Sequence, residues 1–314
     1  DAASVTAVVT LTGDGATVSG SGVSVSGSVV TFTSAGTYLI SGDLADGQLI
    51  VDTADATADA TADAEKVRLV LNGVAVACST GPAVFVRSSP KKTVLYTAAG
   101  SVNLLSDGSG YIVEDAEQTE GEVYPNACVY ACDDLRLDGE GTLRITGNAD
   151  KGINTKDDLE ITGGTVLVNG PSSDGDGAFD YDSEATISGG TVLMIGSSRM
   201  AQSFSSGTQP FLCATNVSGS AGDTVAIADA DGNVIASITA TKQFGMVLAS
   251  TPKFTEGGEY SLVIGGVLAN TDARGYTDSG AVTGGSSTSA TASTTPSSST
   301  GGMGPGPGAV GVAR

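Results

Sequence analysis

Aspartates recur through the middle of the chain at positions where several carboxylates could share one cation. Asp133, Asp157 and Asp182 each precede a short β-forming phrase, and Asp134 and Asp158 stand beside the first two. Asp174, Asp176 and Asp180 crowd the stretch Ser172-Ser173-Asp174-Gly175-Asp176-Gly177-Ala178-Phe179-Asp180. Carboxylates facing one another on neighbouring strands repel, so a column of them is best tolerated when a cation or a fanned-out geometry separates them. Hard oxygens on a glycine-bent loop suit calcium, which accepts roughly six to eight of them in loose geometry. The spacing is not that of an EF-hand, since no Glu closes the loop. Asp is equally at home in turns, where it caps backbone N–H groups. Asp133, Asp157, Asp174, Asp176, Asp180 and Asp182 are therefore candidate calcium ligands, with ordinary turn chemistry as the alternative.

A second set of residues could meet a sugar. Aligning the strand before each acidic phrase gives Cys128-Val129-Tyr130-Ala131-Cys132, Gly152-Ile153-Asn154-Thr155-Lys156 and Gly177-Ala178-Phe179-Asp180-Tyr181. With Val129, Ile153 and Ala178 pointing inward, strand alternation sends Tyr130, Asn154 and Phe179 outward in one row and Cys132, Lys156 and Tyr181 in another. Rings can stack on the C–H face of a sugar while an amide and an ammonium take hydroxyls or a carboxylate. Tyr130, Asn154, Lys156, Phe179 and Tyr181 are the candidate carbohydrate-binding residues. A covering loop, or a register shift of one residue, would instead bury Tyr130 and Phe179.

The elements that must position these groups are legible as a repeat. Asp133-Asp134-Leu135-Arg136-Leu137 with Gly141-Thr142-Leu143-Arg144-Ile145 returns as Asp157-Asp158-Leu159-Glu160-Ile161 with Gly164-Thr165-Val166-Leu167-Val168. It returns again as Asp182-Ser183-Glu184-Ala185-Thr186-Ile187 with Gly190-Thr191-Val192-Leu193-Met194. Gly141, Gly164 and Gly190 stand 23 and 26 residues apart, a period too short for a helical hairpin. Alternating β-formers joined by glycine turns at this period predict the coils of a parallel β-solenoid, with strands about 5 Å apart.

Composition narrows the chemistry. The 314 residues carry 14 Lys and Arg against 35 Asp and Glu, a net charge of −21, so neither nucleic acid nor an anionic membrane is an expected partner. Histidine is absent, which removes Ser-His-Asp and Cys-His catalysis and His-ligated zinc. Tryptophan is absent too, leaving 8 Tyr and 7 Phe for any stacking platform. No apolar run is long enough to span a bilayer. The start at Asp1 without Met and the Thr, Ser, Asn and Gly content suggest an exported chain, extracellular or on a cell surface. Cys78, Cys128, Cys132 and Cys213 fit no zinc or redox spacing, and read as buried thiols or one disulfide.

The predicted organisation is a parallel β-helix over residues 1–208, its first coil irregular and its strands resuming around an Asn72-Gly73 turn. A β-rich C-terminal cap over 209–268 contains the hairpin turn Asp231-Gly232-Asn233, and a disordered Ser/Thr/Gly/Pro tail covers 269–314. Residues 54–65 form a low-complexity insertion expected to be a surface loop, and 106–124 a loop that leaves the coil.

Several phrases together resemble the bacterial surface proteins called carbohydrate-binding domain-containing proteins. They are Gly36-Thr37-Tyr38-Leu39-Ile40-Ser41-Gly42, Leu69-Val70-Leu71-Asn72-Gly73-Val74, Tyr124-Pro125-Asn126-Ala127, the run from Lys156 to Thr165, and the run from Asp174 to Asp182. Asp231-Gly232-Asn233-Val234 and the Gly-Met-Gly-Pro tail add to the likeness. The resemblance implies an all-β, right-handed parallel β-helix similar in fold to polysaccharide lyases, and binding of polygalacturonate and cellulose with calcium. The expected function is non-catalytic binding of a uronate-rich polysaccharide. A calcium-dependent lyase and a structural stalk or adhesin are the alternatives, since lyase chemistry does not travel with the fold. For a lyase, Lys151, Lys156 or Arg199 would be the candidate base.

Overall fold

Apolar residues two apart make strands here because each pair puts its side chains on one face. Leu135 with Leu137, Leu143 with Ile145, and Leu159 with Ile161 are all buried, while Arg136, Arg144 and Glu160 between them turn outward. The computed structural model of the chain describes residues 5–53, 66–89, 91–172, 177–215, 217–272 and 275–296. The low-complexity stretch 54–65, the metal candidates Asp174 and Asp176, and residues 297–314 lie outside the described residues.

Strands come in triplets, and each member pairs in parallel with its counterpart in the next triplet. Val84–Ser88, Lys92–Thr97 and Val102–Asp107 pair with Ala127–Ala131, Asp134–Gly139 and Thr142–Thr146. Those pair with Lys151–Thr155, Leu159–Ile161 and Thr165–Asn169, and these in turn with Phe179–Tyr181, Ala185–Ile187 and Thr191–Gly196. The first members form a 7-stranded sheet. Second and third members merge into one 15-stranded sheet, because the 12-residue strand Val67–Cys78 pairs with both Lys92–Thr97 and Val102–Asp107. The fold is thus all-β with largely parallel sheets, and its core is filled by the inward residues of all three rows.

Turn glycines let successive triplets approach. Gly190 has φ of 83°, and a Cβ there would stand 2.6 Å from the carbonyl oxygen of Gly164, which itself has φ of 76°. Asn72-Gly73 is not a hairpin turn. It is an irregularity inside a single strand, with Gly73 at φ 75°, and it persists because Asn103 caps it. The Asn103 Oδ1 accepts from the N–H groups of Gly73 and Val74, each at 3.0 Å, and Nδ2 donates to Ser101 Oγ and to the Thr142 carbonyl.

The parallel run ends when Thr191–Gly196 takes the antiparallel strand Met246–Ser250 as its neighbour, followed by Phe211–Ala214. Val234–Thr239, Thr224–Ala228, Glu259–Ile264 and Ser286–Thr291 form a separate antiparallel sheet, with the expected hairpin at Asp231–Asn233. This sheet packs against Leu167, Leu193 and Ile195, the outward residues of the third row, so the C-terminal portion lies along a face as well as across an end. Part of the predicted disordered tail is therefore ordered. Ser286–Thr291 is polar and almost wholly exposed, yet it pairs along all six residues with Glu259–Ile264, satisfying an edge that would otherwise be bare.

The third register is shifted by one residue from the predicted alignment. Phe179, not Ala178, lies opposite Ile153, and Ile153 lies opposite Val129. The reason is packing: the fully buried Phe179 ring stands 5.7 Å from Phe204, which stands 5.4 Å from Phe211, and together they plug the end of the core. All four cysteines are free thiols. Among the described residues no helix is long and apolar enough to cross a membrane.

Asn103→Leu leaves the N–H groups of the exposed Gly73 and the buried Val74 without their acceptor. It should lower the free energy of unfolding by about 3 kcal/mol, measured by urea denaturation, with little change in the denaturant slope.

Candidate functional site

Parallel pairing carries every outward residue into a column. On the outer face of the first row, Ile50, Phe85, Tyr130, Asn154 and Asp180 occupy successive positions of one column. The next outward positions hold Cys132, Lys156 and Asp182, where Lys156 N donates to Ala131 O and Asp182 N to Thr155 O. Lys156 Nζ lies 3.4 Å from Asp182 Oδ1. Asp182 is therefore a neighbour of Lys156 and does not stack on Asp157, as the shifted register requires.

The first column is not open to solvent. Ile50, Phe85 and Tyr130 form an apolar cluster, and Asn154 is 1% exposed. Residues 108–126 run across this face, tied down where Tyr111 Oη donates to Asp107 Oδ2 and to the Ala127 carbonyl. Tyr124 Oη accepts from Thr119 N at 2.7 Å and donates to Glu122 Oε2 at 2.6 Å. Between this segment and the sheet a groove of about 490 Å³ remains, lined by Tyr124 and Asn126 on one side and Tyr130, Cys132 and Lys156 on the other. Burial raises the Tyr130 hydroxyl to about 12 and the Cys132 thiol to about 11, so both stay protonated at neutral pH.

Two of the sugar candidates, Tyr130 and Lys156, line the groove. Asn154 sits beneath its rim, where Nδ2 donates to Asn126 Oδ1 at 2.6 Å while its own Oδ1 has no partner among the described residues. Phe179, expected outward, points into the core. Tyr181 is half-buried at the end of the stack, its Oη donating to the Ser203 carbonyl and its ring stacked 5.8 Å from Phe179. Tyr124 and Asn126 were not singled out as binding groups from sequence. Their only signal was the Tyr124-Pro125-Asn126-Ala127 phrase, which carries no periodicity.

The acidic candidates separate into distinct environments. Asp180 belongs to a nearly buried polar network: its Oδ1 accepts from Tyr181 N and Gln202 Nε2, and Lys151 Nζ stands 3.8 Å from its Oδ2 and 3.0 Å from Asp150 Oδ2. Along the corner, carboxylates cap the backbone of a neighbouring triplet. Asp133 accepts from Ser89 N at 2.7 Å, Asp134 from Asp158 N at 3.4 Å, and Asp158 from Glu184 N at 3.1 Å. Asp134, Asp157 and Asp158 each offer one oxygen, all within 4.8 Å of one another, and Asp157 is exposed. Of the four described members of the predicted calcium set, Asp157 alone joins this trio, which draws on Asp134 and Asp158 instead of Asp133, Asp180 and Asp182.

Burial raises the Asp133, Asp134 and Asp180 carboxyls above the ordinary range, with Asp157 adding to the first two and Lys151 opposing the third. Burial likewise raises Asp107. Glu160 moves the other way, because hydrogen bonds from Lys92 and Arg136 outweigh its burial. A carboxyl raised by folding holds more protons in the native than in the unfolded chain just above the unfolded pKa of about 4, so its contribution grows as pH falls through that window. Glu160 has the opposite sign, and its contribution is lost only at lower pH. Asp46, Asp229 and Glu256 are likewise lowered by hydrogen bonds and, like Glu160, lose their contribution only below that window. The four raised carboxyls therefore set the trend: the melting temperature should be higher at pH 5 than at pH 7.5, and Asp180→Asn should narrow that difference, as calorimetry would read.

A relative from Acetivibrio thermocellus, described as a carbohydrate-binding domain-containing protein, is 34% identical over 139 residues, covering 44% of each chain. The chain thus aligns with less than half the length of that relative. A solved structure described as the polysaccharide lyase-like protein from C. thermocellum, as a gadolinium derivative, is 30% identical over 60% of this chain and 74% of its own, with a TM-score of 0.44. The model of the carbohydrate-binding domain-containing protein family matches residues 26–299, and the chain belongs to that family.

Proposed function

We propose that the protein is a non-catalytic binder of extracellular polysaccharide, built as a right-handed parallel β-helix and working outside the cell or on its surface. The observation that carries this reading is the groove between residues 108–126 and the outer face of the first row, where Tyr124, Tyr130, Asn126 and Lys156 converge. An open groove on stacked strands suits a segment of a linear chain. Tyrosines offer ring faces to sugar C–H groups, and Asn126 and Lys156 meet hydroxyls or a carboxylate. Lys156 is the reason to favour a uronate-rich glycan such as polygalacturonate over a neutral one such as cellulose, although Asp182 shares its charge.

Calcium fits the corner trio on distance. Ligand oxygens at about 2.4 Å from one ion can lie no more than about 4.8 Å apart, and Asp134, Asp157 and Asp158 meet that limit. A cation bound there would neutralise part of the −21 charge and could bridge the protein to an anionic glycan.

Two outcomes are expected. Tyr124→Ala combined with Lys156→Ala should weaken binding to polygalacturonate by about tenfold or more, with the melting temperature nearly unchanged, read by affinity electrophoresis. Asp157→Asn should lower the melting temperature in calcium but not in EGTA; an equal effect in both buffers would mean the corner carboxylates serve only the turns.

A further inference from the structure

We propose that the cleft between the third row and the C-terminal antiparallel sheet is a separate saccharide site, shaped for one neutral pyranose unit. It encloses about 330 Å³, near the lower end of the range typical of small-ligand pockets. Its floor comes from two outward columns fixed by register. Leu104, Arg144 and Leu167 form one, and Ser106, Thr146 and Asn169 form the other. Ile238 closes it from the opposite sheet.

This arrangement matches a sugar ring, which presents an apolar C–H face and a rim of hydroxyls. Leu104, Leu167 and Ile238 supply the apolar contact. Asn169 supplies direction: it is 9% exposed, and its Oδ1 accepts from Thr241 N at 2.8 Å. That bond fixes the amide, leaving Nδ2 as a donor with no acceptor among the described residues. Thr146 and Ser106 add hydroxyls that can donate or accept.

The charge of the wall selects a neutral ligand. Arg144 Nη2 stands 2.8 Å from Asp272 Oδ2, so the guanidinium lining the cleft is already compensated, and Lys242 beside it is engaged with the Gly147 carbonyl. A uronate carboxylate would have to compete with Asp272 for the guanidinium. A hydroxyl can instead accept from the guanidinium side and donate to the carboxylate side. The site stands apart from the groove on the first row and does not depend on it.

The test titrates the ¹⁵N-labelled full chain with methyl β-D-glucopyranoside, methyl β-D-galactopyranoside and sodium D-galacturonate. At least one neutral glycoside should produce saturable shifts of the Asn169 side-chain amide and the Thr241 backbone amide with a Kd on the order of millimolar. Asn169→Ala should weaken that binding by about tenfold. Because Asn169→Ala also removes a bond to Thr241, Thr146→Val serves as the second variant and should weaken it several-fold. Tyr124→Ala with Lys156→Ala should leave it unchanged. Shifts confined to the groove, shifts with galacturonate alone, or wild-type affinity in both cleft variants would each overturn the proposal, while leaving the groove reading to be judged by its own variants.

Discussion

The register of the parallel strands is the constraint on which everything else rests. Once Val129, Ile153 and Phe179 lie opposite one another inside, the outward neighbours have no freedom: Tyr130, Asn154 and Asp180 must form a column, and Cys132, Lys156 and Asp182 the next. Strands with a period of two convert a one-residue choice into a complete exchange of faces. Here the choice is made by the aromatic plug of Phe179, Phe204 and Phe211, since moving Phe179 outward would open a void at the end of the core. The core thereby decides which charges meet outside it.

That coupling explains how so acidic a chain keeps its carboxylates close together. Asp133, Asp134 and Asp158 each take a backbone N–H from a neighbouring triplet, so a charge that would repel its neighbours also satisfies a donor at a corner where no strand partner exists. On the adjacent face, Lys92 and Arg136 both reach Glu160, so its carboxylate is held between two cations. Asp157 is the member of the corner trio whose carboxylate takes no backbone donor among the described residues, and it is the exposed one. It is accordingly the position where a cation has most to offer.

Much of this was legible in the sequence, for reasons that particular residues make plain. Leu135, Leu137, Leu143 and Ile145 alternate cleanly, so the triplets and their glycine turns could be read directly. The third register could not, because it depends on how many residues the stretch between Asn169 and Phe179 takes up, and glycines and aspartates carry no alternation. The covering segment 108–126 is legible as a loop, but nothing in it says where it lies, as Tyr111 ties it to the stack through two hydrogen bonds and Tyr124 makes its two within the segment, neither leaving a periodic pattern. Ser286–Thr291 was misread for a related reason. An edge strand that buries almost nothing has no apolar pattern, and its order comes from backbone pairing alone.

The same distinction bears on function. Residues whose position follows from alternation, such as Tyr130 and Lys156, are set by the rigid stack, whereas Tyr124 and Asn126 reach the groove on a segment held by a few polar contacts. A glycan in the groove would therefore meet one preorganised wall and one adaptable wall. The rigid wall fixes the spacing of contacts at the strand repeat of about 4.8 Å, close to the length of a single sugar residue, so consecutive sugars running along the stack can present equivalent groups to consecutive strands. The adaptable wall can then close over chains that differ in their substituents. A binder made this way would select for the repeat of a polymer first and for its decoration second.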